Sequence, residues 1–147
     1  MEQQPLVIEL RLLENFLFEV DFGEFGIIIT EEARPVGGGD GPEPSMMLAA
    51  SVANCLAASL LFALRKHKSD PQGLRATVSI VTERVEKYLR ITSLQVKLHL
   101  ESEQEQLPGL DKALEQFENF CVVTQSVKQG IPTSVEVFDA GGNQLTN

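Results

Sequence analysis

Cysteine is scarce in this chain of 147 residues, which contains only Cys55 and Cys121. Two thiolates are too few for a zinc site built from cysteine alone, and no C-x-x-C pair occurs. The sequence therefore predicts no metal site and gives no reason to expect another cofactor. The opening "MEQQPLVIEL" also lacks the basic and apolar regions of a secretory signal. We therefore expect a cytoplasmic protein whose cysteines are reduced at rest.

Positive charge is sparse as well, with 12 Lys and Arg against 21 Asp and Glu and a formal net charge of −9. The basic residues are scattered and form no run, which argues against a nucleic acid as partner because phosphate binding requires a concentrated basic surface. Apolar residues make up 43% and charged residues 22%, values typical of a soluble globular protein. The length predicts one domain spanning residues 1–147, large enough to bury its own core.

One segment is exceptionally apolar: nineteen uncharged residues run from Met46 to Leu64 within "PSMMLAASVANCLAASLLFALRK". That length reaches a transmembrane span, but the segment is rich in alanine and strand patterns flank it on both sides. We therefore expect no membrane span but a helix buried on all sides, with Ser45 as its N-cap. One small sheet cannot cover every face of such a helix. A second copy could, so the segment predicts a homodimer.

The remaining patterns predict an α+β fold with antiparallel sheet. Three strands ("LVIELRLL", "FLFEVDF" and "FGIIIT") precede the glycine-rich loop "EEARPVGGGDGPEP". After the central helix, two long alternating runs meet near Lys87 and Tyr88 and predict a hairpin. "PGLDKALEQFENF" predicts an amphipathic helix and "TSVEVF" a last strand. The predicted order is β-β-β-α-β-β-α-β.

On the central helix, four residues spaced four, four and three apart share one stripe: Ser51, Cys55, Ser59 and Phe62. The small hydroxyl residues leave room above the sulfur, so we expect Ser51, Ser59 and Phe62 to line a pocket beside Cys55. Small residues also permit close helix packing, and free cysteine is often simply buried. The helix alone therefore leaves open whether Cys55 is structural or reactive.

The second cysteine follows the amphipathic helix. Val122 and Val123 come directly after Cys121, and their branched side chains weaken helix locally. A bend before or at Cys121 would place its sulfur near a helix N-terminus, where a thiolate is favoured.

Two segments together carry a family resemblance. "GGGDGPEPSMMLAASVANC" and "FCVVTQSVKQGIPTSVEV" place the two cysteines 66 residues apart. Their order (glycine-rich loop, proline, central helix with its Cys, hairpin, helix, then Cys-x-Val and a strand) resembles the OsmC/Ohr family over roughly residues 5 to 138. The resemblance implies the OsmC-like fold, with a long buried central helix, in an intertwined homodimer.

The resemblance also implies a thiol-dependent peroxidase acting in oxidative-stress defence. By match, Cys55 is the peroxidatic residue that becomes a sulfenic acid, and Cys121 is the resolving residue that forms a disulfide with it. An external thiol system would reduce that disulfide. An apolar pocket would favour organic hydroperoxides over hydrogen peroxide.

The chain departs from the family pattern beside the first cysteine. Active members carry a glutamate just after the proline that opens the central helix, where this chain has Ser45 and Met46. Glu43 is the nearest carboxylate, and Arg34 is the counterpart of the arginine that active members place near the sulfur. Two functions therefore stay open. One is the peroxidase, and the other is an OsmC-like dimer that lacks peroxidase activity and binds an apolar small molecule in its interface pocket.

Overall fold

The computed structural model describes residues 3–146 and has a mixed α+β architecture with antiparallel sheets. The strands are β1 (Glu9–Glu14), β2 (Leu17–Asp21), β3 (Ile27–Glu31), β4 (Leu74–Val85) and β5 (Tyr88–Leu100). The helices are α1 (Pro44–Lys66), α2 (Leu110–Gln116) and α3 (Val122–Gln129). Short 3-10 turns occupy Gly23–Phe25, Gln104–Gln106 and Phe117–Phe120.

The first sheet is an antiparallel meander in the order β1-β2-β3. Its first strand begins at Glu9, so Leu6 and Ile8 precede it, although both were predicted to belong to it. All six residues of β1 are exposed, so the half-buried strand that the alternation indicated is not found in the single chain. The alternation places apolar side chains on one face of β1, but in the single chain little packs against that face.

The central helix α1 begins two residues earlier than the N-cap prediction required. Glu43 is its N-cap and Pro44 occupies the first turn, so Ser45 lies inside the helix and the predicted serine cap is wrong. The fixed φ of proline suits the first helical position, which moves the cap to the preceding residue. The helix ends with Arg65 and Lys66 in its last turn, where cations suit the helix dipole.

One face of α1 is buried and the other is not, so the prediction of burial on all sides fails within the single chain. The helix is long and apolar enough to cross a membrane by length and composition alone. Its buried face, however, packs on β4, α2, the Phe117–Phe120 turn and α3. The exposed face includes Met46, Asn54, Ala58 and Phe62. A two-stranded hairpin and two short helices are too small to enclose a helix of 23 residues.

The predicted hairpin is present, with β4 and β5 paired from Leu74–Leu100 to Val85–Tyr88. Its inner face carries Leu74, Leu98 and Leu100 against a core formed by four buried residues: Leu60, Ala63, Leu64 and Ala113. This core joins the C-terminal half of α1 to α2 and fixes the position of the segment that follows.

The predicted amphipathic helix is shorter than the segment "PGLDKALEQFENF" from which it was predicted. A further helix that the sequence analysis did not predict follows it. α2 ends at Gln116, the Phe117–Phe120 turn follows, and α3 begins after Cys121. Cys121 has an extended backbone (φ −85°, ψ 96°), which is the bend anticipated from the branched residues after it. The chain therefore changes direction at the second cysteine.

The predicted last strand is not formed. "TSVEVF" lies in a segment without regular structure, and only an isolated bridge joins Phe138 to Gln144. A strand is stabilised by hydrogen bonds to a neighbouring strand, and among the described residues none lies beside this segment. Ile131, Val135 and Val137 are correspondingly exposed.

Candidate active site

The fold brings the two cysteines together, although 66 positions separate them in the sequence. Cys55 lies half-buried on α1, and Cys121 is completely buried at the N-cap of α3. The two side chains lie beside each other in one cluster with Val52 and Leu56. Both thiols are free. Contact between them is what a two-cysteine reaction requires.

Cys121 is surrounded by hydrogen-bonding groups. The Thr124 amide donates to its sulfur over 3.4 Å, and the thiol in turn donates to the Thr124 hydroxyl oxygen over 3.0 Å. The Ser59 side chain, on α1, is buried near this sulfur and makes a smaller contribution. The Cys121 backbone amide donates to the carbonyl oxygen of Glu118 over 3.1 Å, which fixes the residue at the bend.

These contacts determine the acidity of the Cys121 thiol. Burial raises its pKa because a thiolate is poorly solvated in the core. Hydrogen bonds from Cys55, Thr124 and Ser59 act in the opposite direction and together outweigh burial, so the net effect lowers the pKa. Of the two cysteines, Cys121 is therefore the one whose surroundings favour the thiolate.

The predicted stripe on α1 divides between two environments. Ser59 is buried against Cys121, and Phe62 packs on Phe120 of the adjacent turn. Ser51 is exposed and its hydroxyl donates to the Leu48 carbonyl oxygen over 2.8 Å. Cys55 and Ser59, one helical turn apart on the same stripe, therefore both face Cys121. Ser51, on the next turn, does not contact it.

The two weaker site predictions, Arg34 and Glu43, form hydrogen bonds with groups other than the thiols. Arg34 is exposed in the glycine-rich loop and donates from Nε to the Gly38 carbonyl oxygen over 2.8 Å. Glu43 accepts a hydrogen bond from Ser45 over 3.1 Å at the start of α1, about 18 Å along the helix axis from Cys55. Within residues 3–146, neither side chain hydrogen-bonds to a cysteine.

A carboxylate that the sequence reading missed lies at the end of β3. Glu31 is buried and accepts hydrogen bonds from the amides of Gly38 and Asp40, each over 2.9 Å. These bonds, with a smaller effect of the Arg34 charge, lower its pKa. A Cβ at Gly37 would collide with the Glu32 carbonyl oxygen, so the loop turns closely around this strand end. The signal in the sequence was an acidic residue ending a strand just before a glycine run.

A cavity of about 540 Å³ lies beside the thiol pair. It runs between α1 and β5, and its walls include Val52, Leu56, Leu94, Val96 and Val127 of the cysteine cluster. Thr124 also lines it, whereas the predicted pocket residues Ser51, Ser59 and Phe62 do not. Those three lie on the neighbouring stripe of α1, where Ser59 is buried near Cys121 and Phe62 contacts Phe120 with much of its ring still exposed. The cavity is large enough for a small organic molecule.

A family model matches the stretch that contains the three consecutive glycines of the loop, the central helix and the second cysteine. The model for the OsmC-like protein family covers residues 37–136, which is most of the chain and includes both thiols. The chain belongs to the OsmC-like family. No curated protein sequence matches it significantly.

Several solved structures, some of them described as OsmC or OsmC-like proteins, share the fold of this family member. A hypothetical protein from Aquifex aeolicus VF5 superposes with a TM-score of 0.66 and 20% identity, over 86% of this chain and 89% of that one. OsmC like protein from Mycoplasma pneumoniae gives 0.66 at 14% identity, over 88% and 91%. An organic hydroperoxide resistance protein OsmC from Legionella pneumophila gives 0.61 at 16% identity, over 87% and 92%. These similarities establish the α+β fold.

Proposed function

We propose that this OsmC-like protein reduces organic hydroperoxides with Cys55 and Cys121, as an enzyme of oxidative-stress defence in the cytoplasm. The observation that carries the proposal is the contact between the two thiols. The cysteines are 66 positions apart in the sequence, and nothing about packing a core requires two such residues to be neighbours. Cys55 is the half-buried member and Cys121 has no exposed surface, so Cys55 is the thiol that a substrate reaches. The hydroperoxide-resistance relative supports the same chemistry.

The reaction has two steps on these two sulfurs. The Cys55 sulfur attacks the distal oxygen of the hydroperoxide, the O–O bond breaks, and the alcohol leaves after gaining a proton. Cys55 is oxidised to a sulfenic acid, and the Cys121 sulfur displaces its oxygen as water to form a disulfide. An external dithiol then reduces the disulfide and returns both thiols. No metal or organic cofactor enters this scheme.

The cavity beside the cluster supports an organic substrate rather than hydrogen peroxide. Its walls near the cysteines are aliphatic, from Val52 and Leu56 on one side and Leu94 and Val96 on the other. An alkyl or aryl group would bury apolar surface there, whereas hydrogen peroxide has none to bury. Glu118 and Lys128, paired at 3.5 Å, provide the polar part of the lining.

We further propose that the protein acts as an intertwined homodimer. Both the outer face of α1 and the β1-β2-β3 sheet expose large apolar side chains, including Leu10, Leu12, Ile27 and Phe62. A three-stranded sheet with exposed apolar faces is a surface that a second copy would cover. The segment after α3 has the alternating pattern of a strand and no partner strand in the part of the chain that the structure describes. Sedimentation equilibrium is expected to give twice the 16.2 kDa chain mass, and a monomer at micromolar concentration would contradict the dimer.

The peroxidase proposal is tested by counting thiols. Reduced protein is mixed with one equivalent of cumene hydroperoxide, and free thiols are measured over minutes. We expect the loss of two thiols per chain with formation of a disulfide between Cys55 and Cys121. Cys55→Ser should abolish the reaction, and Cys121→Ser should leave a sulfenic acid that dimedone traps on Cys55. Unchanged thiol content in the wild-type protein would exclude the peroxidase.

The cavity itself favours a second candidate function, which is binding of an apolar small molecule without peroxide reduction. The two functions separate at Ile91, which lies on the β5 wall of the cavity and is not in the cysteine cluster. Ile91→Glu should weaken binding of an apolar fluorescent probe, while Val81→Glu, a matched change outside the cavity on β4, should not. If the probe binds but the thiols survive cumene hydroperoxide, the binding function is favoured.

A further inference from the structure

The activation of Cys55 is the step that the proposed peroxidase leaves unexplained. A thiol attacks a peroxide as its thiolate, so a nearby group has to remove or stabilise the proton. Arg34 is engaged with the Gly38 carbonyl, and Glu43 with Ser45 at the far end of the helix. Across residues 3–146, the titratable side chain that lies in the same cluster as Cys55 is Cys121.

The surroundings of Cys121 are suited to a negative charge. Thr124 offers both its amide and its hydroxyl from α3, and Ser59 offers a hydroxyl from α1. A hydroxyl that accepts from the neutral thiol can rotate and donate to the thiolate. As the N-cap residue of α3, Cys121 also lies at the positive end of that helix. These donors belong to Cys121 and not to Cys55.

The other neighbours of Cys121 do not compete for this charge. β5 contributes Leu94, Val96 and Leu98 to the cluster, and the Phe117–Phe120 turn contributes Phe117. Of the charged side chains around this cluster, Glu118 and Lys128 pair with each other at 3.5 Å beside the cavity, and Lys66 lies over the Phe120 ring at 5.2 Å. Among the described residues, Cys55 is therefore the titratable group in contact with Cys121.

We propose that Cys121 is the base that activates Cys55, in addition to resolving its sulfenic acid. At rest the Cys121 sulfur carries the negative charge and accepts the hydrogen bond of the Cys55 thiol. The inference rests on the peroxidase function proposed above and assigns its missing activating group. It makes one residue serve twice, as proton acceptor in the first step and as nucleophile in the second.

The proton and electron balance closes within the pair. As Cys55 attacks the hydroperoxide, its proton moves to the Cys121 sulfur and the O–O bond breaks to release an alkoxide. Cys121 then gives that proton to the alkoxide, which leaves as the alcohol. The regenerated Cys121 thiolate attacks the Cys55 sulfenic acid, forming the disulfide and expelling hydroxide. Two sulfurs are each oxidised by one electron, and the peroxide is reduced by two.

The test compares single-turnover peroxide consumption by the reduced wild-type protein and by Cys121→Ser across pH. Both proteins contain Cys55 and can complete the first step. We expect Cys121→Ser to react about tenfold to a hundredfold more slowly near neutral pH, because a hydroxyl is a poor base. Its rate should approach that of the wild type at alkaline pH, where Cys55 loses its proton without help.

Two further variants keep both thiols and change only the donors around Cys121. Thr124→Val and Ser59→Ala should each move the pH–rate profile to higher pH, since the Cys121 thiolate loses a hydrogen bond. Thr77→Val, an exposed change on β4, should leave the profile in place. This shift in the pH profile distinguishes a role in activation from a general loss of stability, which would lower the rate without moving the profile.

The possible outcomes distinguish a failure of the role proposed for Cys121 from a failure of the proposed peroxidase function. If Cys121→Ser consumes peroxide at the wild-type rate with the wild-type pH profile, Cys121 is only a resolving residue and the inference is overturned. An unmoved profile in both donor variants overturns it as well. If the wild-type protein consumes no peroxide at any pH, the proposed peroxidase fails, and the inference fails with it.

Discussion

Phe62 and Phe120 meet edge to face, with their ring centroids 5.2 Å apart and their planes at 82°. Phe62 lies on α1 one turn beyond Ser59, and Phe120 immediately precedes Cys121. The pair therefore attaches the Phe117–Phe120 turn to the central helix next to the buried thiol. Lys66 lies over the Phe120 ring at 5.2 Å and adds a cation–π contact from the same helix.

We predict that Phe62→Ala lowers the free energy of unfolding by about 1–2 kcal/mol, because an aromatic pair contributes beyond its buried area. Urea denaturation at a fixed protein concentration measures the change. The same variant should slow disulfide formation after peroxide treatment, since the turn that positions Cys121 loses an attachment. Phe25→Ala is the matched control, because that ring is 84% exposed. Equal destabilisation by both variants would contradict a specific role for the pair.

A second prediction concerns Glu31 and the glycine-rich loop. Hydrogen bonds from the Gly38 and Asp40 amides lower the pKa of Glu31 in the folded protein below its ordinary value of 4.5. A carboxyl with a lowered folded pKa stabilises the fold above its unfolded pKa, and this contribution disappears as the pH falls through the folded pKa. Glu31→Gln should therefore lower the Tm at neutral pH, and the difference from wild type should shrink in acid.

Thermal unfolding of both proteins near pH 7 and near about pH 3 checks this sign. Glu24→Gln, a change at an exposed carboxylate in the Gly23–Phe25 turn, is the control and should alter the Tm little at either pH. A wild-type-to-variant difference of equal size at both pH values would show that the charge of Glu31 is not what anchors the loop.

The core beneath α1 gives a third prediction. Leu64 is completely buried and packs with Leu60, Ala63 and Ala113 where α1 crosses α2. Leu64→Ala should cost about 2–5 kcal/mol of unfolding free energy, as buried leucine truncations do when the site cannot collapse. Leu114→Ala should lower the unfolding free energy much less. Leu114 follows the buried Ala113 on α2 but is itself 49% exposed. Comparable losses measured by urea denaturation would place Leu114, too, in a buried environment.

Local sequence was sufficient for the strands of the hairpin and for the central helix. Alternation from Leu74 to Leu100 predicted β4 and β5, since a period of two survives wherever one face is buried. It failed for the segment containing Val135 and Val137, which alternates just as clearly but has no neighbouring strand among residues 3–146. An alternating pattern indicates that one face of a strand can be buried. It does not indicate whether the neighbouring strand comes from the same chain or from another copy.

The sequence by itself determined the α+β class, the apolar central helix and the presence of two thiols, because periodicity and composition are local properties. It also indicated a bend at Cys121 through the branched residues that follow. Only the tertiary structure decided that Cys55 and Ser59 lie beside Cys121, that Thr124 hydrogen-bonds to it, and that Arg34 and Glu43 form hydrogen bonds with other groups. Such contacts depend on how α1 packs against the Phe117–Phe120 turn and α3, and that packing is a property of the whole chain.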